Sequence, residues 1–192
     1  MLLLCLLVTG GLFPFRLDSC GLTSQSCTTL ASILCKESSK LRNLDISGNC
    51  IGDIGVKNLC SGLKNPNCAL ETLRMSGCSV TGEGYAALAA ALKSNPSHLE
   101  ELDLRGNDPR HAELKPLTDL VQDSACKLQR LRLLKSDAAD KALVYLTSVL
   151  GVNPLLLTEL DLIGKIPGDP GVKQLCALLG DSQCRLKKLR DG

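Results

Sequence analysis

The sequence predicts an α/β solenoid, a short horseshoe with parallel inner strands and outer helices, and three observations carry that expectation. One pattern of leucine-type residues begins at Leu12, Leu41, Leu70, Leu99, Leu128, Leu157 and Leu186, which is an unbroken 29-residue period. After each start, apolar residues alternate at the fourth and sixth positions, as at Leu44 and Ile46, which is the period of a strand with one buried face. The second half of each unit carries a helical period instead, as in Val56, Leu59 and Leu63. With one strand and one full helix per unit, the helices form the wider layer and the stack must curve.

Taken in order, residues 1–11 form an apolar leader, or the remnant of a preceding repeat, and residues 12–192 form a single repeat domain with its last unit partial from Leu186. The leader Met1-Leu2-Leu3-Leu4-Cys5-Leu6-Leu7-Val8 resembles the apolar part of a signal peptide but has no basic residue before it and no small-x-small cleavage site. It is also too short to span a bilayer as a helix. Each repeat reads L-x-x-L-x-L-x-x-(N/C)-x-(L/I/V), a leucine-rich repeat (LRR). The Asn or Cys at the ninth position is expected to turn inward and satisfy backbone groups that the turn leaves unpaired. Further helical stripes are Tyr85, Leu88, Leu92, then Leu114, Leu117, Val121, then Leu143, Leu146, Leu150 and Val172, Leu175, Leu179. Thr81-Gly82-Glu83 marks a helix start, and Asn95-Pro96 and Asn153-Pro154 mark helix ends. Ser136 and Lys165 replace the inward Cys or Asn, with Pro109 and Pro167 nearby, so looser turns are expected there. The closing strand at Leu186 has no helix behind it, and the chain is expected to be a piece of a longer solenoid.

Composition narrows the kind of core and of partner. With no Trp, two Phe and two Tyr, burial must come from stacked aliphatic side chains and cysteine. A net charge of +2, from 22 basic and 20 acidic residues, gives no argument for nucleic acid or an anionic membrane. Of the 11 cysteines, Cys20 and Cys78 share one repeat column, Cys60 and Cys176 another, and Cys68, Cys126 and Cys184 a third. Equivalent residues two repeats apart lie about 10 Å apart at a strand spacing of about 4.8 Å, beyond disulfide reach. The cysteines are therefore expected as reduced packing residues of a cytoplasmic chain. A secreted chain with bridges between columns is the alternative if residues 1–11 belong to a signal peptide.

A second period overlies the first. The ninth position runs Cys20, Asn49, Cys78, Asn107, and a Cys precedes the strand at 68, 126 and 184, so the true unit is a pair of 29-residue repeats of alternating type. Alternating Cys-type and Asn-type repeats with a full helix resemble the ribonuclease-inhibitor class of LRR. Asp18-Ser19-Cys20-Gly21-Leu22-Thr23, the stretch Leu92 to Leu104 and Asp169-Pro170-Gly171-Val172-Lys173 resemble the C-terminal LRRs of NACHT-containing NLR receptors, particularly the families expanded in fish. That resemblance spans residues 12–192. It implies a protein-interaction module, and a NACHT ATPase upstream of it.

No catalytic constellation is found. The chain contains no G-x-x-x-x-G-K-[ST] phosphate loop, no dinucleotide glycine fingerprint and no Cys-x-x-Cys. Its two histidines, His98 and His111, lack metal-ligand neighbours and are expected in solvent or at caps. We therefore expect no enzyme activity, no cofactor and no metal.

The informative surface is the inner face of the strands. Its fifth position reads Arg16, Asp45, Arg74, Asp103, Arg132, Asp161, Arg190, alternating in sign at every step. In a parallel stack each Arg then lies beside Asp, either as a register ladder or as a contact code, and such balance argues against capture of a strongly charged ligand. The seventh position passes from Asp18, Ser47, Ser76 and Arg105 to Leu134 and Ile163, which would form a small apolar patch flanked by Arg130, Arg132, Glu159 and Asp161. The expected partner contacts are thus Asp45, Arg74, Asp103, Arg105, Arg130, Arg132, Leu134, Glu159, Asp161 and Ile163. The function expected is the ligand-sensing or autoinhibitory LRR region of an NLR-like innate immune receptor, contacting proteins or other domains of its parent. A stand-alone ribonuclease-inhibitor-like inhibitor or adaptor is the alternative, and a secreted LRR binding protein a more distant one.

Overall fold

The computed structural model describes residues 15–95, 98–108, 115–121, 123, 125–133, 159–162 and 187–190. Seven short strands, β1 (Phe15–Arg16), β2 (Asn43–Asp45), β3 (Thr72–Arg74), β4 (Glu101–Asp103), β5 (Arg130–Leu133), β6 (Glu159–Leu162) and β7 (Lys188–Arg190), form one open sheet in sequence order. Every pairing is parallel, and each residue sits beside its equivalent in the next repeat: Leu44 beside Leu73, Leu73 beside Leu102, Leu102 beside Leu131 and Leu131 beside Leu160. The repeat length therefore sets the register without any slip. Between the strands run α1 (Ser24–Leu34), α2 (Gly52–Leu63), α3 (Gly82–Ser94) and α4 (Lys115–Val121). This is the solenoid that the repeat period predicts.

The core lies between the sheet and the helices. Leu44, Leu73, Leu102 and Leu131 at the fourth position, and Ile46, Met75, Leu104 and Leu133 at the sixth, are all buried. Facing them are Val56, Leu59 and Leu63 of α2 and Tyr85, Leu88 and Leu92 of α3, so both helical stripes are placed as expected. Leu117 of α4 is buried too, whereas Leu114 and the two later stripes lie outside the described residues, as do Pro109, Ser136, Lys165 and Pro167. Because the core has few aromatics, helices must approach one another through small residues. A Cβ on Gly62 would stand 2.7 Å from both the Cα and the carbonyl oxygen of Ala31, so α1 and α2 touch through backbone.

The turns after β2, β3 and β4 use backbone that only glycine adopts cheaply. Gly48, Gly77 and Gly106 occupy the eighth position with φ of +67°, +61° and +67°. Just beyond, the ninth-position Asn turns inward as expected. The Asn107 side-chain oxygen accepts from Cys78 N at 2.9 Å and Val80 N at 3.1 Å, and its Nδ2 donates to Met75 O at 2.7 Å and Leu104 O at 2.9 Å. Asn49 repeats this toward Leu22 N, Leu17 O and Ile46 O. Cys78 holds the same place with less, its thiol donating to Ile46 O at 3.2 Å.

Cys20 departs from the expected inward placement. It is exposed, with its thiol turned to Asp18 O in its own turn. All cysteines among the described residues carry free thiols, most of them buried. Burial pushes the Cys27 and Cys60 thiols up to about 11, so they pack as small apolar groups and are not nucleophiles. Among the described residues, no helix is long and apolar enough to cross a membrane.

Candidate functional site

The third, fifth and seventh positions of each repeat stand on the sheet face opposite the helices, because strand side chains alternate and the fourth and sixth face the core. That face carries a shallow concavity of about 430 Å³ lined by Arg16, Asp18, Asp45, Ser47, Arg74, Ser76, Asp103, Arg105 and Arg132. Strands β1 to β5 and the turns after β1 to β4 supply its walls. The backbone register brings Arg16, Asp45, Arg74, Asp103, Arg132, Asp161 and Arg190 into one row, as the alternating column predicts.

The hydrogen-bonded ion pairs between β3, β4 and β5, however, run diagonally to that row. Arg74 turns diagonally to Glu101, the third-position residue of the next strand, through Nε at 3.2 Å and Nη2 at 3.0 Å to Oε1. Arg132 Nη1 meets the same oxygen at 2.8 Å, and Arg130 Nε takes Oε2 at 3.0 Å. Asp103 is gripped within its own strand end by Arg105, whose Nη2 lies 2.6 Å from Oδ2 and whose Nε lies 2.9 Å from Oδ1. Arg132 approaches Asp103, its neighbour in the row, only to 3.9 Å. A third-position glutamate between three arginines outcompetes the fifth-position aspartates because it reaches the strands on both sides at once.

Burial changes what such a surface shows to solvent. The Glu101 and Asp103 side chains are 7% and 1% exposed, whereas Arg74, Arg105, Arg130 and Arg132 keep 34%, 33%, 37% and 18%. Carboxylates form the floor and guanidinium groups cover it. Burial alone would raise the Glu101 carboxyl, but the Arg74 hydrogen bonds and the charges of Arg132, Arg74 and Arg130 outweigh it and hold the carboxyl below its ordinary value. The alternation read along the chain is therefore not charge balance at the surface.

Of the expected contact residues, Arg74, Asp103, Arg105, Arg130 and Arg132 gather on and around Glu101, and Asp45 lies on the far side of Arg74, its Oδ1 accepting from Ser47 N at 3.1 Å. Asp103 is floor rather than contact surface. Glu159 and Asp161 stand on β6 in register with Arg130 and Arg132, while Leu134 and Ile163 lie outside the described residues. Sequence reasoning missed Glu101 as a site residue, although its column, Asn43, Thr72, Glu101, Arg130, Glu159, Lys188, alternates in sign from Glu101 onward. The available signals were that alternation and the Arg at both the third and fifth positions of the following repeat. His98 does not enter the face. His98 is half-buried rather than in solvent, with Nδ1 enclosed and without a hydrogen-bond partner among the described residues, and His111 lies outside them. No group of three or more metal-ligating side chains gathers among the described residues.

Comparison with known proteins agrees with the repeat. A family model described as Leucine Rich repeat matches residues 37–60, 67–89 and 95–108. The ribonuclease inhibitor of Sus scrofa is 49% identical over 55 residues, 29% of this chain and 12% of that protein. NACHT, LRR and PYD domains-containing protein 1a of Mus musculus is 56% identical over 54 residues, 28% of this chain and 4% of that protein. The matched stretches thus span a small part of these relatives. Among solved structures, the actin-binding site 2 of leiomodin-1 superposes with a TM-score of 0.61 over 80% of this chain and 86% of that one, at 15% identity, a likeness of fold alone. Period, register, inward asparagines and family model converge: the chain is a leucine-rich-repeat solenoid whose repeats are similar to those of ribonuclease inhibitor and of NACHT, LRR and PYD domain proteins.

Proposed function

We propose that the chain is a non-enzymatic protein-interaction module, the ligand-sensing or autoinhibitory LRR region of an NLR-like innate immune receptor acting in the cytoplasm. The observation that carries this reading is the inner sheet face. Its side chains from β1 to β5 contribute nothing to the apolar core, yet they converge on one arginine-covered concavity. Arginine is the residue type among those enriched at binding hot spots that this face supplies. The short stretches shared with NACHT, LRR and PYD domain proteins support the receptor context, and the free thiols support a reducing compartment.

The test places a bulky side chain in the concavity. Ser76→Trp should leave the folded state intact, since Ser76 lies outside the core, but abolish association with a purified NACHT module from a relative. Ala90→Trp, on the exposed side of α3, should leave association unchanged. Equal behaviour of the two variants would remove the inner face from the reading. The similarity to ribonuclease inhibitor favours a second reading, a free-standing inhibitor, and an assay of pancreatic ribonuclease with the chain added decides it: stoichiometric inhibition would replace the receptor reading.

A further inference from the structure

We propose that the stretch of the inner face from β3 to β5 docks a short acidic segment of a protein partner, two aspartate or glutamate side chains meeting the guanidinium groups of Arg74 and Arg130. This rests on the reading of the inner face as an interaction surface and adds the chemistry of what it receives. Between β3 and β5 the face carries four arginines against two carboxylates, Glu101 and Asp103. Both carboxylates are nearly fully enclosed, so the charge offered to a partner is positive although the column alternates in sign.

The arginines are also held in place. A guanidinium has five N–H donors in a planar fork. Glu101 takes two from Arg74 and one from Arg130, which leaves the outward parts of both forks for a second acceptor. Because one side of each fork is already fixed, less side-chain freedom is lost on binding than for arginines on open surface. A carboxylate accepts two parallel N–H bonds from such a fork, which a lysine or an amide on the partner cannot.

The site is bounded toward the start of the sheet. Asp18 and Asp45 stand toward β1 and β2, and Glu159 and Asp161 lie on β6, in register with Arg130 and Arg132. Two strand spacings of about 4.8 Å make the cationic stretch about 10 Å wide, which an extended segment covers in about three residues. The carboxylates of the partner are therefore two or three positions apart, and a long polyanion is opposed by Asp18 and Asp45.

The experiment measures fluorescence anisotropy of labelled peptides on the full chain. One peptide carries Glu-Ser-Asp in a Gly-Ser background, and the other carries Lys-Ser-Lys. The acidic peptide should bind saturably, weaken as salt rises, and weaken about tenfold in Arg74→Ala and in Arg130→Ala, with no recovery in Arg74→Lys. Thermal melting of each variant checks that the fold is kept. Unchanged acidic-peptide binding in both alanine variants, or tighter binding of the basic peptide, would overturn the proposal. Basic-peptide binding that Ser76→Trp abolishes would overturn it while leaving the inner face as the interaction surface. Peptide binding that survives Ser76→Trp would place both peptides elsewhere and remove the proposal together with the reading it rests on.

Discussion

The carboxylate of Asp53, on α2, caps the start of α3 at Thr81, in the next repeat. Its Oδ1 accepts from Thr81 N at 2.8 Å and Gly84 N at 3.0 Å, and its Oδ2 accepts from the Thr81 hydroxyl at 2.6 Å. The anion also faces the positive end of the α3 dipole. Losing a cap of this kind costs about 1–2 kcal/mol. Asp53→Ala should therefore lower the melting temperature by about 2–4 °C per kcal/mol, with Asp53→Asn in between, as read by circular dichroism. A melting point equal to wild type would mean that α3 starts without help from α2.

Gly62 is the second place where one repeat depends on its neighbour. In an isolated helix Gly→Ala gains about 1 kcal/mol, but here the new Cβ would meet the Ala31 backbone at 2.7 Å. Backbone cannot swing aside as a side-chain tip can, and overpacking costs about 1–3 kcal/mol. We expect Gly62→Ala to lower the urea midpoint; a higher midpoint would show that α1 and α2 separate freely.

Glu101 ties stability to pH. Its folded carboxyl lies below its unfolded value, so the stabilisation is fully present above the ordinary glutamate range and is lost as pH falls through the folded value. Wild type should lose melting temperature on acidification below about pH 4.5. Glu101→Gln should start lower, since three arginines lose their shared acceptor, and should show a shallower decline over the same interval. Parallel curves for the two proteins would assign the acid sensitivity to other carboxyls.

The Asn107 side chain makes three hydrogen bonds to backbone of the preceding rung, at Cys78 N, Val80 N and Met75 O, and a fourth buried one to Leu104 O in its own rung. Asn107→Ala strands those groups, and at about 1 kcal/mol or more per enclosed unpaired group the loss should be about 3 kcal/mol. Equilibrium unfolding in urea measures it. A loss of only about 0.5 kcal/mol, the size of an ordinary surface change, would mean that the turn closes over the gap.

Legibility divides along the repeat. Leu44, Ile46 and Val56 are readable because burial repeats with the chain, and one repeat later the same environment demands the same residue type. Asn49 and Asn107 are readable for the same reason, as every second turn leaves the same backbone groups to satisfy. Asp53 is not, because it acts once, on a neighbour 28 to 31 residues away, and no periodicity marks a single event. Glu101 stands in a column whose charges alternate from Glu101 to Lys188, but column order does not say which arginines its carboxyl holds. The fifth-position row shows the opposite failure. Its register is as the column predicts, yet the ion pairs turn diagonally to Glu101, since side-chain reach and burial, not column order, choose partners.

The alternation of Asn and Cys at the ninth position divides the solenoid into joints of unequal grip. Asn49 staples the first rung to the second and Asn107 the third to the fourth, but between the second and third stands only the thiol of Cys78 in that place. At that joint the helical side compensates: Asp53 clamps the head of α3, and Asn95 donates to Leu63 O and Asn65 O at the tail of α2. Pulled from its ends, a chain lacking Asp53 should part first at this seam and lengthen in steps of two repeats rather than one, a zipper whose teeth come in pairs.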